Sequence, residues 1–350
     1  MNNAGTGAQR CDGERMSLAL ASPAKVALGI TEACPLRCLY CYADCAERPK
    51  AGELDLPAWM RAVDEFIADG VIQFYIEGGE PLAKPGFLHL LARCARDAMT
   101  LLRTHGTLID DPMADALKAA GVGRVLVDLM GADAATHERS TGVPGSFAAA
   151  CAGIRRCVAR GIPTDVLVIL TRQTAPQLNA LLRLAAGLGA ERVGVLRLYP
   201  LGRARQVWAE IAPSLAEQMA AVRGLVPPPG LGIMQSWHPN DHNCCWQSAA
   251  VNAFGRAVGC MYLREYVDFG DVRRVRHLDI WRHHPLYRHL RSGQVERACG
   301  DCSASQGSDG GCRAAAYAFH GRWTAPDPFD EGLNDGVDLR ALPERRAIRA

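Results

Sequence analysis

Between Ala24 and about Arg205 the chain alternates short apolar runs with longer amphipathic ones, and this rhythm limits the fold more than any other feature. The strand-like runs are AKVALGIT (24–31), VIQFYIE (71–77), MTLLRT (99–104), GRVLVDLM (123–130), TDVLVIL (164–170) and RVGVLRLYP (192–200). Between them lie LPAWMRAVDEFIAD, GFLHLLARCARDA, PMADALKAA, SFAAACAGIRRCVARG and PQLNALLRLAAGLG, whose apolar residues recur with helical spacing. Several stop at glycine just before the next strand, as helix C-termini do. Strand–helix units in series call for a parallel sheet with right-handed crossovers. Six units give the α/β class and an incomplete (βα)6 barrel of TIM type. A doubly wound open sheet has the same periodicity, so periodicity alone does not separate the two.

After residue 205 the rhythm stops. The sequence divides into an N-terminal tail (1–23), the barrel unit (24–205), a helix and linker (206–235), a small cysteine-rich domain (236–325) and a loosely held tail (326–350). The linker ends in GLVPPPGLGIMQ, rich in proline and glycine. The chain has 14 cysteines, yet its start, MNNAGTGAQRCDGER, lacks the apolar core of an export signal. In a reducing cytosol such cysteines are metal ligands or buried thiols more often than disulfides. A net charge of +2 gives no reason to expect a nucleic acid or a charged membrane surface as partner. No apolar run reaches the roughly eighteen residues of a membrane span.

The densest group is TEACPLRCLYCYADC (31–45), with Cys34, Cys38, Cys41 and Cys45 directly after the first strand-like run. The C-x3-C-x2-C part puts three thiolates in a loop at the C-terminal end of a strand, where barrels carry their chemistry. A structural zinc site wants four tetrahedral ligands. Three thiolates instead suit a [4Fe–4S] cluster with one iron left for another ligand; Cys45 as a fourth would close it. GGEP (78–81) follows the second strand-like run, where two glycines let the backbone approach a ligand closely.

ITEACPLRCLYCY together with IEGGEPL resembles the radical S-adenosylmethionine (SAM) enzymes. The resemblance implies that Cys34, Cys38 and Cys41 hold a [4Fe–4S] cluster whose open iron is chelated by SAM. It implies that Tyr40 packs near the adenine and that Gly78, Gly79, Glu80 and Pro81 form the turn receiving the methionine amino group. Electron transfer into the sulfonium would then yield a 5′-deoxyadenosyl radical that abstracts hydrogen from a substrate. RTHGTLI, GADAATHERSTGVPGSF and LRLYPLGRA resemble further segments of the family. The chain departs from it where Asp128 and Met130 replace a serine and an aspartate, leaving Asp128 to accept a ribose hydroxyl. His105 replaces an asparagine, and Glu77 stands where a small or hydroxyl residue is common.

The C-terminal cysteines resemble the family's SPASM extension, an auxiliary iron–sulfur domain, in the pyrroloquinoline-quinone maturase branch. Its motif is incomplete here, since Ser308 replaces one cysteine and none follows Cys312. One auxiliary cluster would draw on Cys245, Cys260 and Cys312, with Cys244 as fourth ligand. A second would keep Cys299 and Cys302 and need an oxygen ligand such as Asp309 or Asp327. Otherwise Cys299 and Cys302 contribute to a single cluster. A zinc ribbon has similar C-x2-C spacing.

Cys94, Cys151 and Cys157 fall in apolar helical runs and read as core residues. VRRVRHLDIWRHHPLYRHLR (272–291) reads as an amphipathic helix burying Leu278, Ile280, Trp281 and Leu286 rather than as a nucleic-acid surface. Relatives with this extension mostly modify peptides, so the expected substrate is a ribosomally made peptide undergoing C–C or thioether bond formation or side-chain oxidation. The expected partners are an external one-electron reductant of flavodoxin or ferredoxin type and, because only about 23 residues precede the first strand, a separate leader-peptide-binding protein. The expected location is the cytoplasm. Alternatives are a small-molecule enzyme acting on a haem-type side chain or a carbohydrate, and a non-catalytic iron–sulfur electron carrier. No residue is assigned as catalytic beyond the cluster and SAM.

Overall fold

The computed structural model describes residues 20–234, 247–292, 311–332 and 334–344. The six expected strands form: β1 (Lys25–Gly29), β2 (Gln73–Glu77), β3 (Met99–Thr104), β4 (Arg124–Asp128), β5 (Thr164–Ile169) and β6 (Arg192–Leu196). Two more join them, β7 (Gly232–Met234) and β8 (Ser248–Val251), giving one sheet in the order β7-β6-β5-β4-β3-β2-β1-β8. Every pairing in it is parallel. The fold is α/β, with β7 and β8 as the two edges of the open barrel.

Helices α1 (Leu56–Ala68), α2 (Phe87–Asp97), α3 (Asp111–Ala119), α4 (Ala134–Thr141), α5 (Ser146–Ala159) and α6 (Leu178–Gly187) connect the first six strands. Asp55, Asp110 and Asp133 cap α1, α3 and α4 by accepting a backbone N–H of the first turn, which fixes where each helix starts. The chain continues through α7 (Trp208–Ile211), α8 (Leu215–Arg223), α9 (His277–His283), α10 (Pro285–Arg291) and α11 (Arg313–His320). All six residues of β5 are buried, as expected of a strand covered on both faces. Cys94, Cys151 and Cys157 lie in the main core.

Three expectations need correction. The linker contributes β7, whose three residues are too few to show a period. The helix expected over 272–291 is split into α9 and α10: Pro285 follows His284, whose backbone is extended, and the residue before proline is kept out of the helical region. Leu278, Ile280 and Trp281 are buried as expected, with Tyr287 and Leu290 completing the face. The C-terminal tail is not loosely held over 326–344. Phe329 and Leu339 pack on Ala315 in a small core, and Trp208 Nε1 donates to Leu339 O at 3.1 Å.

Candidate active site

The cysteine loop after β1 is held by backbone from three directions. Cys34 N donates to Ala46 O (2.7 Å), closing the loop on itself. At the end of α4, Thr141 O and Ser140 O accept from Arg37 N (2.8 Å) and Leu39 N (2.9 Å). Beyond β6, Arg203 N donates to Cys41 O (2.9 Å), and its guanidinium donates to Cys38 O (3.1 Å) and Cys45 O (2.7 Å). Gly202 precedes it at φ +51°, and a Cβ there would stand 2.6 Å from Cys41 O. One arginine thus gathers the carbonyls that set the loop's curvature.

The loop forms one wall of a cavity at the C-terminal ends of the strands. Cys34, Cys38 and Cys41 all line it, as do Tyr40, Gly78, Gly79 and Asp128. Burial pushes the Cys34 thiol up to about 12 and Cys38 well above its ordinary range. Cys41 is lowered to about 6, chiefly by a hydrogen bond from the Cys45 thiol. Cys45, itself buried, is raised by the same contact, so it acts as a donor to Cys41. Thiols this desolvated suit a group that brings positive charge and displaces their protons. Among the described residues no three His, Cys, Asp or Glu side chains converge on one metal ion, as a zinc site requires. Cys45 lines the cavity too, and of the four cysteines Cys34, Cys38 and Cys41 have the spacing that suits a cluster in which each thiolate holds its own iron.

The glycine turn after β2 is knitted to the strand leading into the cysteines. Gly79 N donates to Thr31 O (2.6 Å) and Glu80 N to Ala33 O (2.7 Å). Gly78 has φ +148°, and a Cβ on Gly79 would meet Ala33 O at 2.2 Å, so only glycine permits this approach. Glu80 and Pro81 do not line the cavity. Glu80 is fully buried behind it, accepting from Thr104 Oγ1 (2.8 Å), His105 N (3.0 Å) and Leu82 N (3.1 Å). Thr107 N donates to His105 Nδ1 (3.1 Å), and His105 Nε2 lies 3.0 Å from the Glu80 carboxylate. Glu80 therefore ties the turn to the β3 end.

The same cavity holds groups the sequence reading did not assemble. Arg103 Nε donates to both oxygens of Asp128 (3.1 and 3.2 Å), and Arg103 Nη1 lies 3.6 Å from Glu77. Tyr42 donates to Glu77 Oε2 at 3.1 Å. Arg103 interrupts the apolar run MTLLRT, a signal that could have marked it. Tyr199 and Tyr262 stack at 3.8 Å, and Tyr199 OH lies 3.3 Å from Cys312 Sγ. Nothing in the sequence marks Tyr262.

Of the C-terminal ligand candidates, Cys260 and Cys312 are described, each directly preceding a helical turn. Cys244, Cys245, Cys299, Cys302 and Asp309 lie outside the described residues. Asp327 is fully buried and already committed: its carboxylate pairs with Arg197 and accepts from Cys312 N (2.8 Å) and Phe329 N (3.1 Å).

The profile of the Radical SAM superfamily matches residues 28–185, and that of the SPASM iron–sulfur cluster-binding domain matches 244–303. A PqqA peptide cyclase of Ruegeria pomeroyi is 30% identical over 95% of this chain and 93% of its own. The chain belongs to the radical SAM superfamily. This radical SAM protein is also 28% identical to an AdoMet-dependent heme synthase of Methanosarcina barkeri, over 88% of the chain and 96% of the relative. Streptococcus suis SuiB bound to S-adenosylmethionine shares its fold, with a TM-score of 0.71 at 17% identity over 89% of this chain and 78% of SuiB. AdoMet-bound anSMEcpe has a TM-score of 0.65 at 15% identity over 87% and 93%. As a radical SAM enzyme with a SPASM segment, the protein uses a [4Fe–4S] cluster, SAM and auxiliary iron–sulfur clusters. The donors and the glycine cradle described above fit the first two. No helix among the described residues is long and apolar enough to cross a membrane.

Proposed function

We propose that this enzyme modifies a ribosomally made peptide by hydrogen abstraction, with C–C bond formation as the first candidate outcome. The peptide follows from the PqqA cyclase likeness along nearly the whole chain. The observation that carries the site is that Cys34, Cys38 and Cys41 share one cavity with the Gly78–Gly79 backbone. When bound, the cluster and SAM supply a 5′-deoxyadenosyl radical. The three thiolates hold the cluster, and Cys45 and Arg203 hold the loop in shape. Gly78 and Gly79 present main chain to the amino-acid end of SAM, while Glu80 and Pro81 fix that turn from behind. Tyr40 lies beside the adenine, and Asp128 offers the ribose a carboxylate already steadied by Arg103.

Residues 24–205 cleave SAM, and 236–325 carry the auxiliary chemistry. Cys260 and Cys312 are joined there by Cys244, Cys245, Cys299 and Cys302, with Asp309 as an oxygen ligand if a second cluster forms. A flavodoxin- or ferredoxin-type donor reduces the enzyme in the cytoplasm, and a separate protein presents the peptide leader. The heme synthase likeness favours a second reading, oxidation of a haem-type side chain.

Anaerobic reconstitution with SAM, dithionite and PqqA peptide tests the first reading. It expects 5′-deoxyadenosine and a peptide two hydrogens lighter. Turnover of a porphyrin but not of the peptide would move the assignment to the second reading; absence of 5′-deoxyadenosine from every mixture would leave an iron–sulfur electron carrier.

A further inference from the structure

Two carboxylates line the cavity among the described residues, Glu77 and Asp128, and they are not equivalent. Both Asp128 oxygens accept from Arg103 Nε. Glu77 meets the same guanidinium only at 3.6 Å, through Oε2, the oxygen that also accepts from Tyr42. Glu77 Oε1 has no hydrogen-bond partner among the described residues. One guanidinium, that of Arg103, thus faces both carboxylates, and it is engaged by Asp128 first.

Burial and the nearby Asp128 charge favour the protonated acid at Glu77, while Arg103 and the Tyr42 hydroxyl oppose it; burial prevails and raises its pKa. Tyr75 and Tyr262 also face this group and stay neutral, since burial raises both. A buried carboxyl that holds its proton more tightly than an exposed one is the kind of group that proton transfer at carbon uses. Glu77 stands one residue before the glycine turn, in the cavity that the cysteines also line.

We propose that Glu77 is the proton acceptor of the reaction. The proposal rests on the peptide-modifying function above. Its balance is as follows. One C–H bond of the substrate breaks homolytically, and that hydrogen leaves in 5′-deoxyadenosine. The resulting substrate radical forms its new bond and gives one proton to Glu77, and an auxiliary iron–sulfur centre, when bound, would take up its one remaining odd electron. Two hydrogens have then left the peptide, and the product has no unpaired electron. Asp128 does not take this part, because both its oxygens are occupied by Arg103.

The test compares wild type, E77Q and E77D, each reconstituted anaerobically and checked for iron, with SAM, dithionite and PqqA peptide. E77Q is expected to keep forming 5′-deoxyadenosine while modified peptide per 5′-deoxyadenosine falls about a hundredfold. E77D is expected to recover part of that yield with a shifted pH profile. A second readout needs no turnover: infrared titration of the reconstituted wild type shows a carboxylic-acid C=O band persisting above the usual carboxylate range, missing from E77Q. Unchanged product yield and pH profile in E77Q would overturn the proposal. Loss of 5′-deoxyadenosine in both variants would also overturn it and place Glu77 in the SAM site instead. Were PqqA peptide not a substrate of wild type, the peptide reading would fall. The infrared titration would still decide Glu77: a band lost within the usual carboxylate range ends the proposal.

Discussion

All four cysteines of the first loop line the cavity, and what sets Cys45 apart is its contact with Cys41. The Cys45 thiol donates to Cys41 and lowers its pKa to about 6. Cys45 is 4% exposed, and its own N–H points at Cys41 Sγ (3.5 Å). A fourth ligand at Cys45 would occupy the iron that SAM needs. Cys45→Ala is therefore expected to cost about 1 kcal/mol of stability and to leave 5′-deoxyadenosine formation within a few-fold of wild type. Cys41→Ala should abolish it. Chromatographic assay of 5′-deoxyadenosine with iron analysis on both variants checks this; equal loss in both would make Cys45 a ligand. The same scale shows the limit of motif reading. Asp128, expected to accept a ribose hydroxyl, also accepts from Arg103 at both oxygens. A strand-end residue's partner comes from the neighbouring strand, which a linear spacing does not display.

At the level of elements, the loop's shape depends on the turn after β6 rather than on its own sequence. Gly202 at φ +51° and the bonds from Arg203 lock Cys38, Cys41 and Cys45 against that strand end. Gly202→Ala would press a methyl on Cys41 O and strain a left-handed backbone by about 1–2 kcal/mol. Arg203→Met would leave the carbonyls of Cys38 and Cys45 without their donor. Both variants are expected to fold, by circular dichroism, yet to retain clearly less iron at the first site after reconstitution; full iron content would show the clamp to be dispensable. The six barrel strands were legible because each combines an apolar run with helical flanks. Strand β8 was not: its SAAV is alanine-rich and short, and it becomes a strand only because β1 offers a free edge. Helix α4 was read as a motif rather than as a helix, since its AATHERST buries only three residues and shows little periodicity.

At the scale of the whole molecule, the C-terminal third is packed into the barrel rather than appended to it. β8 extends the sheet, Tyr199 at the β6 end reaches Cys312, and the tail covers α11. Asp327 is where these parts meet: it faces Arg197 beyond β6 and holds the backbone N–H of Cys312. Gly311, at φ +67°, lets the chain pass this carboxylate, since a Cβ there would stand 2.6 Å from Asp327 Cβ. A carboxylate so engaged positions an auxiliary ligand; as a ligand itself it would have to abandon Arg197. Iron counting separates the two roles. A Cys34/Cys38/Cys41 triple alanine variant retains only auxiliary iron, about four atoms for one cluster and about eight for two. Adding Asp327→Asn to that variant keeps an acceptor for Cys312 N but removes the charge facing Arg197. It is expected to destabilise the protein by about 3–5 kcal/mol, as breaking a buried ion pair does, read by denaturant unfolding. The iron count should stay where the triple variant set it. A fall from about eight to about four would instead make Asp327 the oxygen ligand of a second cluster, and Arg197 the residue it must release to bind.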